Sequence, residues 1–96
     1  MRLLIVNFAD RETRILWETG KSRRLPPSLR EAAGKKLAVL DASLHLAELL
    51  VPPGNKLEKL RGDRAGQHSI RINDQYRICF VWKNGNAHDV EITDYH

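Results

Sequence analysis

His68-Ser69-Ile70-Arg71-Ile72 and Tyr76-Arg77-Ile78-Cys79-Phe80-Val81-Trp82, separated by Asn73-Asp74-Gln75, decide the fold. In both runs large apolar side chains recur at every second position, the period of a strand with one buried face. The residues between them are turn formers. A hairpin that pairs Ile72 with Tyr76 sets Ile70 beside Ile78 on the apolar face and Arg71 opposite Arg77 on the other. Like charges directly opposed on a sheet repel. Two guanidinium groups on a bare face therefore suit an anion, and phosphate best, because their forked donors match its oxygens. The alternative is structural, with Arg71 simply exposed and Arg77 paired to Asp94 or to the chain terminus.

Downstream, Ala87 to Thr93 reads as the next strand. A two-residue Asn84-Gly85 turn would oppose Ile78 to Glu91 and Phe80 to Asp89, which mixes faces. A three-residue loop, Asn84-Gly85-Asn86, opposes Ile78 to Ile92, Phe80 to Val90 and Trp82 to His88, and is preferred. Thr93 then faces Arg77, with Tyr95 diagonal to it on the same side. In this register His68 and His88 share the core face, while Cys79 faces the arginines without the basic partner that would make it a nucleophile. The chain ends in Asp94-Tyr95-His96, a carboxylate, a phenol and an imidazole able to transfer protons at a strand end. Read without context, a terminal His is also a frayed residue. His88, Asp94 and His96 lack a fourth ligand at a recognisable metal spacing.

Upstream, Leu57 to Leu60 is a further short strand, closed by the turn Gly62-Asp63-Arg64-Ala65-Gly66. The first half reads differently. After an opening strand, Leu3 to Val6, Asp10 is placed to cap a helix running to about Glu18, and Gly20 to end it. Ser28-Leu29-Arg30-Glu31 is a capping box behind Pro26-Pro27, and Leu29, Ala33, Leu37 and Leu40 follow on one helical face. A third helical segment, Leu44 to Leu50, stops at Pro52-Pro53-Gly54. Helices first and antiparallel strands second predict one α+β domain over residues 1–96, with the N-terminal helices packed on one face of the sheet. Trp17, Trp82, Phe8 and Phe80 are expected in its core and not as base-stacking platforms.

Composition agrees and narrows the function. The 96 residues are 42% hydrophobic and 29% charged, which is globular and not disordered. A core this small encloses no large cofactor. The single cysteine excludes an internal disulfide framework or a cysteine-built metal cage. The longest apolar stretch, Leu37 to Val51, is broken by Asp41, His45 and Glu48, so no membrane span is expected. Leu3-Leu4-Ile5-Val6 is too short for a signal-peptide core, so the expected compartment is the cytoplasm. The net charge of +4 is unevenly placed. Lys21, Arg23, Arg24, Arg30, Lys35 and Lys36 stand against Glu31 alone; Lys56, Lys59, Arg61, Arg64, Arg71 and Arg77 stand against Glu58, Asp63 and Asp74. Such clusters suit a polyanion or an acidic protein, or else a solvated surface.

The run from Pro52 to Gly66, followed by Ser69-Ile70-Arg71, Asn73 to Phe80 and the closing Asp94-Tyr95-His96, resembles the HigB branch of the RelE/ParE toxins, closest to its GraT-like members. Trp17-Glu18-Thr19-Gly20-Lys21 and Lys36 to Ala42 resemble segments of the same proteins, so the likeness covers nearly the whole chain. It implies a RelE-like fold and a toxin of a type II toxin–antitoxin pair. Such toxins cut messenger RNA in the ribosome without a metal or other cofactor, and a HigA-like antitoxin with a helix-turn-helix domain neutralises them. Carried over by position, the catalytic residues are Glu58, Arg61, Arg77, Asp94, Tyr95 and His96, and Lys56, Lys59, Arg64 and Arg71 are expected to bind RNA. Well-known HigB toxins carry His at the position of Glu58 and Lys at that of Arg61. A carboxylate accepts protons with less driving force than an imidazole, and an arginine keeps charge but is no acid or base, so a slower enzyme is expected. Two other readings of the sequence are a ParE-like gyrase poison of the same fold and a non-catalytic RNA- or ribosome-binding module. The basic segment Lys21 to Lys36 is the expected contact for acidic residues of the antitoxin.

Overall fold

The computed structural model describes residues 5–94. Two helices, α1 (Arg11–Thr19) and α2 (Pro27–Ala42), precede a four-stranded antiparallel sheet of β1 (Glu58–Lys59), β2 (His68–Arg71), β3 (Tyr76–Lys83) and β4 (Asn86–Asp94) in the order β1-β2-β3-β4. Leu16, Leu25, Ala33, Leu37, Leu40 and Leu49 bury one sheet face formed by Ile70, Ile78, Phe80, Ala87, Val90 and Ile92. The α+β architecture, with the helices on one face of an antiparallel sheet, is the expected one. Trp17, Trp82 and Phe8 pack against this core as partly buried residues. Among the described residues no helix is long and apolar enough to cross a membrane.

The helix ends follow local chemistry with two departures. Gly20 closes α1 at φ 76, its N–H donating to the Leu16 carbonyl at 2.8 Å. Asp10 stands at the N-cap, yet its carboxylate accepts from Arg24 Nη2 at 2.8 Å and caps nothing. The Ser28–Glu31 capping box does not form. Pro26 occupies the cap and Pro27 opens α2, since a missing N–H costs nothing in the first turn; Glu31 pairs with Lys35 instead. The third helical segment is a 3-10 turn, Leu46–Leu50, whose lead-in amides at Leu44 and His45 donate to the Glu48 carboxylate. These backbone donors hold the Glu48 carboxyl below its ordinary value.

The β2–β3 register is the expected one, Ile70 with Ile78 and Arg71 with Arg77. The last hairpin corrects the sequence reading. Asn84 and Gly85 both have positive φ, 54 and 76, and form a two-residue turn that leaves Lys83 paired with Asn86. Asn-Gly meets the φ demands of that tight turn. Ile78 still pairs with Ile92 and Arg77 with Thr93, because the ladder shifts between Cys79–Glu91 and Val81–His88. Phe80 there faces two residues, Asp89 and Val90, and Asp89 adopts φ 51. The Asn7 side chain pins this bulge, accepting the Asp89 amide and donating to its carboxylate, each at 2.9 Å. As a result Ala87 enters the core opposite Trp82. His88 opposes Val81 on the far face and not Trp82 on the core face.

Two shorter corrections complete the sheet. Of the expected strand Leu57 to Leu60 only Glu58 and Lys59 pair, Glu58 with Ser69 and Lys59 with His68. Of the expected opening strand Leu3 to Val6, Leu3 and Leu4 lie outside the described residues. Ile5 and Phe8 form isolated parallel bridges to Ala87 and Val90 along the outer edge of β4.

Candidate active site

The sheet face away from the helices carries the chemistry. Alternation places Glu58, Ser69, Cys79 and Glu91 in one row across it, and Arg71, Arg77 and Thr93 in the next. Arg77 stands at its centre, 7% exposed. Its Nε donates to Ser69 Oγ at 2.7 Å, and its Nη2 donates to the Lys56 carbonyl at 2.6 Å. Nη2 also reaches the Ser69 carbonyl at 3.4 Å, so the plane of the guanidinium is set by the protein before any ligand arrives. Glu58 Oε2 lies 3.8 Å from the same Nη2, its side chain half exposed at the sheet edge. A buried cation thus sits beside a carboxylate open to solvent.

Arg61 and Arg64 belong to the turn after β1. With Glu58, Lys59 and Leu60 they line an open cleft of about 280 Å³. Arg64 reaches across the sheet to β4. Its Nη1 donates to Glu91 Oε1 at 2.9 Å and to Gln67 Oε1 at 3.0 Å, and its Nη2 reaches Thr93 Oγ1 at 3.4 Å. The hydrogen bond to Glu91 raises the Arg64 pKa. Cys79, on the same face, is fully buried, and burial raises its thiol pKa despite a hydrogen bond with Thr93. A protonated thiol is no nucleophile.

The other expected residues divide. Arg71 faces Arg77 across β2 and β3, and an ion pair with Asp74 relieves the repulsion between them. Lys56 lies beside Arg77 through its backbone, in a left-handed conformation at φ 45 that turns its carbonyl to the guanidinium. Lys59 opposes His68, so its strand position shares the parity of the helix-covered face, though it borders the edge cleft. Asp94 pairs with Tyr76, which also places it on the helix-side parity, and it accepts from Gln75 Nε2 at 3.1 Å. Tyr95 and His96 lie outside the described residues.

Two groups escaped the sequence reading. Ser69 carries a usable signal, since strand parity puts it on the arginine face diagonal to Arg77. The Lys56 carbonyl carries none, because every residue has a carbonyl and only the turn aims this one. His68 sits on the core face as expected, stacked on Phe80 with ring centroids 6.3 Å apart, and burial and the nearby Lys59 lower its pKa.

Residues 6–96 match the family model of HigB-like toxins, described as a RelE-like toxin of the type II toxin–antitoxin system HigB. Toxin HigB-1 of Vibrio cholerae serotype O1 is 40% identical over 85 residues, which is 88% of this chain and 90% of that protein. Endoribonuclease HigB of Proteus vulgaris is 30% identical over 93 residues, covering 97% of this chain and all of that protein. The match runs through both helices and all four strands, and the chain belongs to the HigB-like family, the RelE-like toxins of type II toxin–antitoxin systems.

Proposed function

We propose that this chain is an endoribonuclease that cuts messenger RNA on the ribosome, acting in the cytoplasm as one domain over residues 1–96 and restrained by a HigA-like antitoxin. The name of the Proteus vulgaris relative supports the activity. The observation that carries it to this site is the buried Arg77, clamped by Ser69 and Lys56 and set 3.8 Å from Glu58.

The reaction is a transesterification. The ribose 2′-oxygen bonds to the adjacent phosphorus, the bond to the 5′-oxygen breaks, and a cyclic phosphate and a 5′-hydroxyl result. A base takes the 2′-proton, an acid returns one to the leaving oxygen, and cations stabilise the phosphorane between them. Arg77 and Arg61 serve as those cations. Glu58 and His96 divide the acid and base roles, Tyr95 orients the nucleotide or donates a proton, and Asp94 belongs to the same catalytic set. Lys56, Lys59, Arg64 and Arg71 hold the RNA backbone. No metal or cofactor enters this scheme. DNA lacks the nucleophile and is not cut.

Mapping of messenger RNA 3′ ends in a translation reaction, with and without the protein, tests this reading. New ends phased within codons and absent from ribosome-free RNA are expected. Ends on free RNA as well would replace it with a general ribonuclease. Intact messages in growth-arrested cells would overturn it in favour of gyrase poisoning or non-catalytic ribosome binding.

A further inference from the structure

A cleft of about 650 Å³ lies between α1, the loop after it and the start of α2, on the helical side remote from Arg77 and Glu58. Its wall holds four cations, Arg11, Lys21, Arg23 and Arg30, around Ile15. The carboxylate among its lining residues, Glu12, is engaged by the Arg23 backbone amide at 3.2 Å. The fold makes this concentration by sorting the basic segment. Arg24 turns to Asp10 and the Ile92 carbonyl, Lys35 to Glu31, and Lys36 to Asn55. Lys21, Arg23 and Arg30 remain, Arg30 braced by its Nε on the Leu25 carbonyl at 3.0 Å, and α1 adds Arg11. None of the ion pairs among the described residues includes any of these four.

Four cations against the one Glu12 carboxylate leave the cleft lining at a net charge of +3, and an opposite charge on a partner relieves the remaining repulsion. The recess is also shaped for a side chain with some apolar body, because Ile15 is half-buried between the charges. A nucleic-acid backbone offers phosphates but no aliphatic side chain to set against Ile15, so the mixed lining favours an acidic protein segment. We propose that this α1–α2 cleft is where the antitoxin attaches, through a segment that presents Asp or Glu beside an apolar residue. The inference rests on membership of a toxin–antitoxin family and not on the cleavage mechanism. It places the antitoxin contact on the face opposite the one that carries Glu58 and Arg77.

The test titrates the full-length toxin with the antitoxin of its own system. Native protein is compared with the Arg11→Glu, Arg23→Glu, Arg30→Glu triple variant and with the milder Lys21→Gln variant, at low and high salt. Affinity is expected to fall about tenfold or more in the triple variant. It should fall less with Lys21→Gln, and the salt dependence of binding should flatten in both. Messenger RNA cleavage by the same preparations is expected to match native, which also reports that they fold. Native-like antitoxin affinity in an active triple variant would overturn the proposal. So would lost ribosome binding with antitoxin affinity intact, which would assign the cleft to RNA. If the triple variant does not fold, the Lys21→Gln variant and the salt dependence of the native complex decide, and salt-independent affinity overturns it. A native toxin without cleavage activity would refute the ribonuclease reading and leave this test standing.

Discussion

Replacing Ser69 with Ala should slow cleavage without unseating the RNA. The substitution deletes one oxygen, the acceptor 2.7 Å from Arg77 Nε, in a side chain that is fully buried. Arg77 keeps the Lys56 carbonyl at 2.6 Å and the Ser69 carbonyl at 3.4 Å, both on Nη2, so its charge stays on the site while Nε loses a bond that sets the tilt of the guanidinium plane. A hydrogen bond to a charged group contributes about 1.5–3 kcal/mol. If that orientation matters only when charge builds on the phosphorane, the same energy appears in the rate, and about 1.4 kcal/mol is tenfold. Single-turnover cleavage in a purified translation reaction is therefore expected to slow by about tenfold to a hundredfold, with the half-saturating ribosome concentration changed by less than about threefold. Arg77→Lys supplies the control, since lysine has no Nε donor for Ser69. In that background Ser69→Ala should cost little, and the double-mutant cycle reads the coupling directly. A folded Ser69→Ala variant that cleaves within about twofold of native would refute the reasoning. A cost that persists undiminished beside Arg77→Lys would refute it equally, because Ser69 would then act through something other than Arg77.

Three further outcomes are expected. Arg77→Ala should reduce cleavage by about a hundredfold to a thousandfold, the usual cost of one preorganised stabiliser of transition-state charge, and abolish growth inhibition in cells; undiminished toxicity would favour the gyrase reading. His68 is held below the ordinary imidazole value, chiefly by burial, so the unfolded chain takes up its proton first as pH falls. The stability it contributes is present above about pH 6.5 and is lost as pH drops from there through the lower folded value; the melting temperature should decline across that window, and His68→Leu should flatten the decline. Gly85→Ala forces a Cβ into a left-handed position at φ 76 and should cost about 1–2 kcal/mol in urea unfolding, whereas a three-residue loop with a relaxed Gly85 would show almost none.

The strands, the Ile70–Ile78 register and the helix-covered face are readable from sequence because they rest on periodicity, which is local and repeats. The same logic sets Arg71 against Arg77, as the folded sheet does. The final hairpin shows where periodicity stops. It demands that Val90 and Ile92 face inward, and a three-residue loop meets that demand as well as a two-residue turn with a bulge. The choice falls to Asn7, whose side chain holds Asp89 from 82 residues away. The Ser28 capping box fails for a related reason: two prolines in front of it start the helix earlier than the side chains would.

The candidate site divides along the same line. Sequence pattern and family resemblance are enough to nominate Arg77, Glu58 and Arg61, because strand parity and motif spacing carry residue identity. They do not distinguish an open arginine from a clamped one. The clamp depends on a carbonyl 21 residues away, aimed by a left-handed Lys56 that Asn55 anchors from beneath through bonds to Leu49 and Val51. Nor do they sort the cations of the basic segment. A run of lysines and arginines has one net charge in the sequence, but each guanidinium chooses its partner in space. Arg24 finds Asp10 and β4, Lys36 finds Asn55, and Arg30 is left to join Arg11 across a cleft that exists only once α1 and α2 have packed. Apolar period is written along the chain because burial acts on every residue of a face alike. Ion pairs and carbonyl clamps are settled by the meeting of two particular groups, and that meeting is a property of the folded molecule alone.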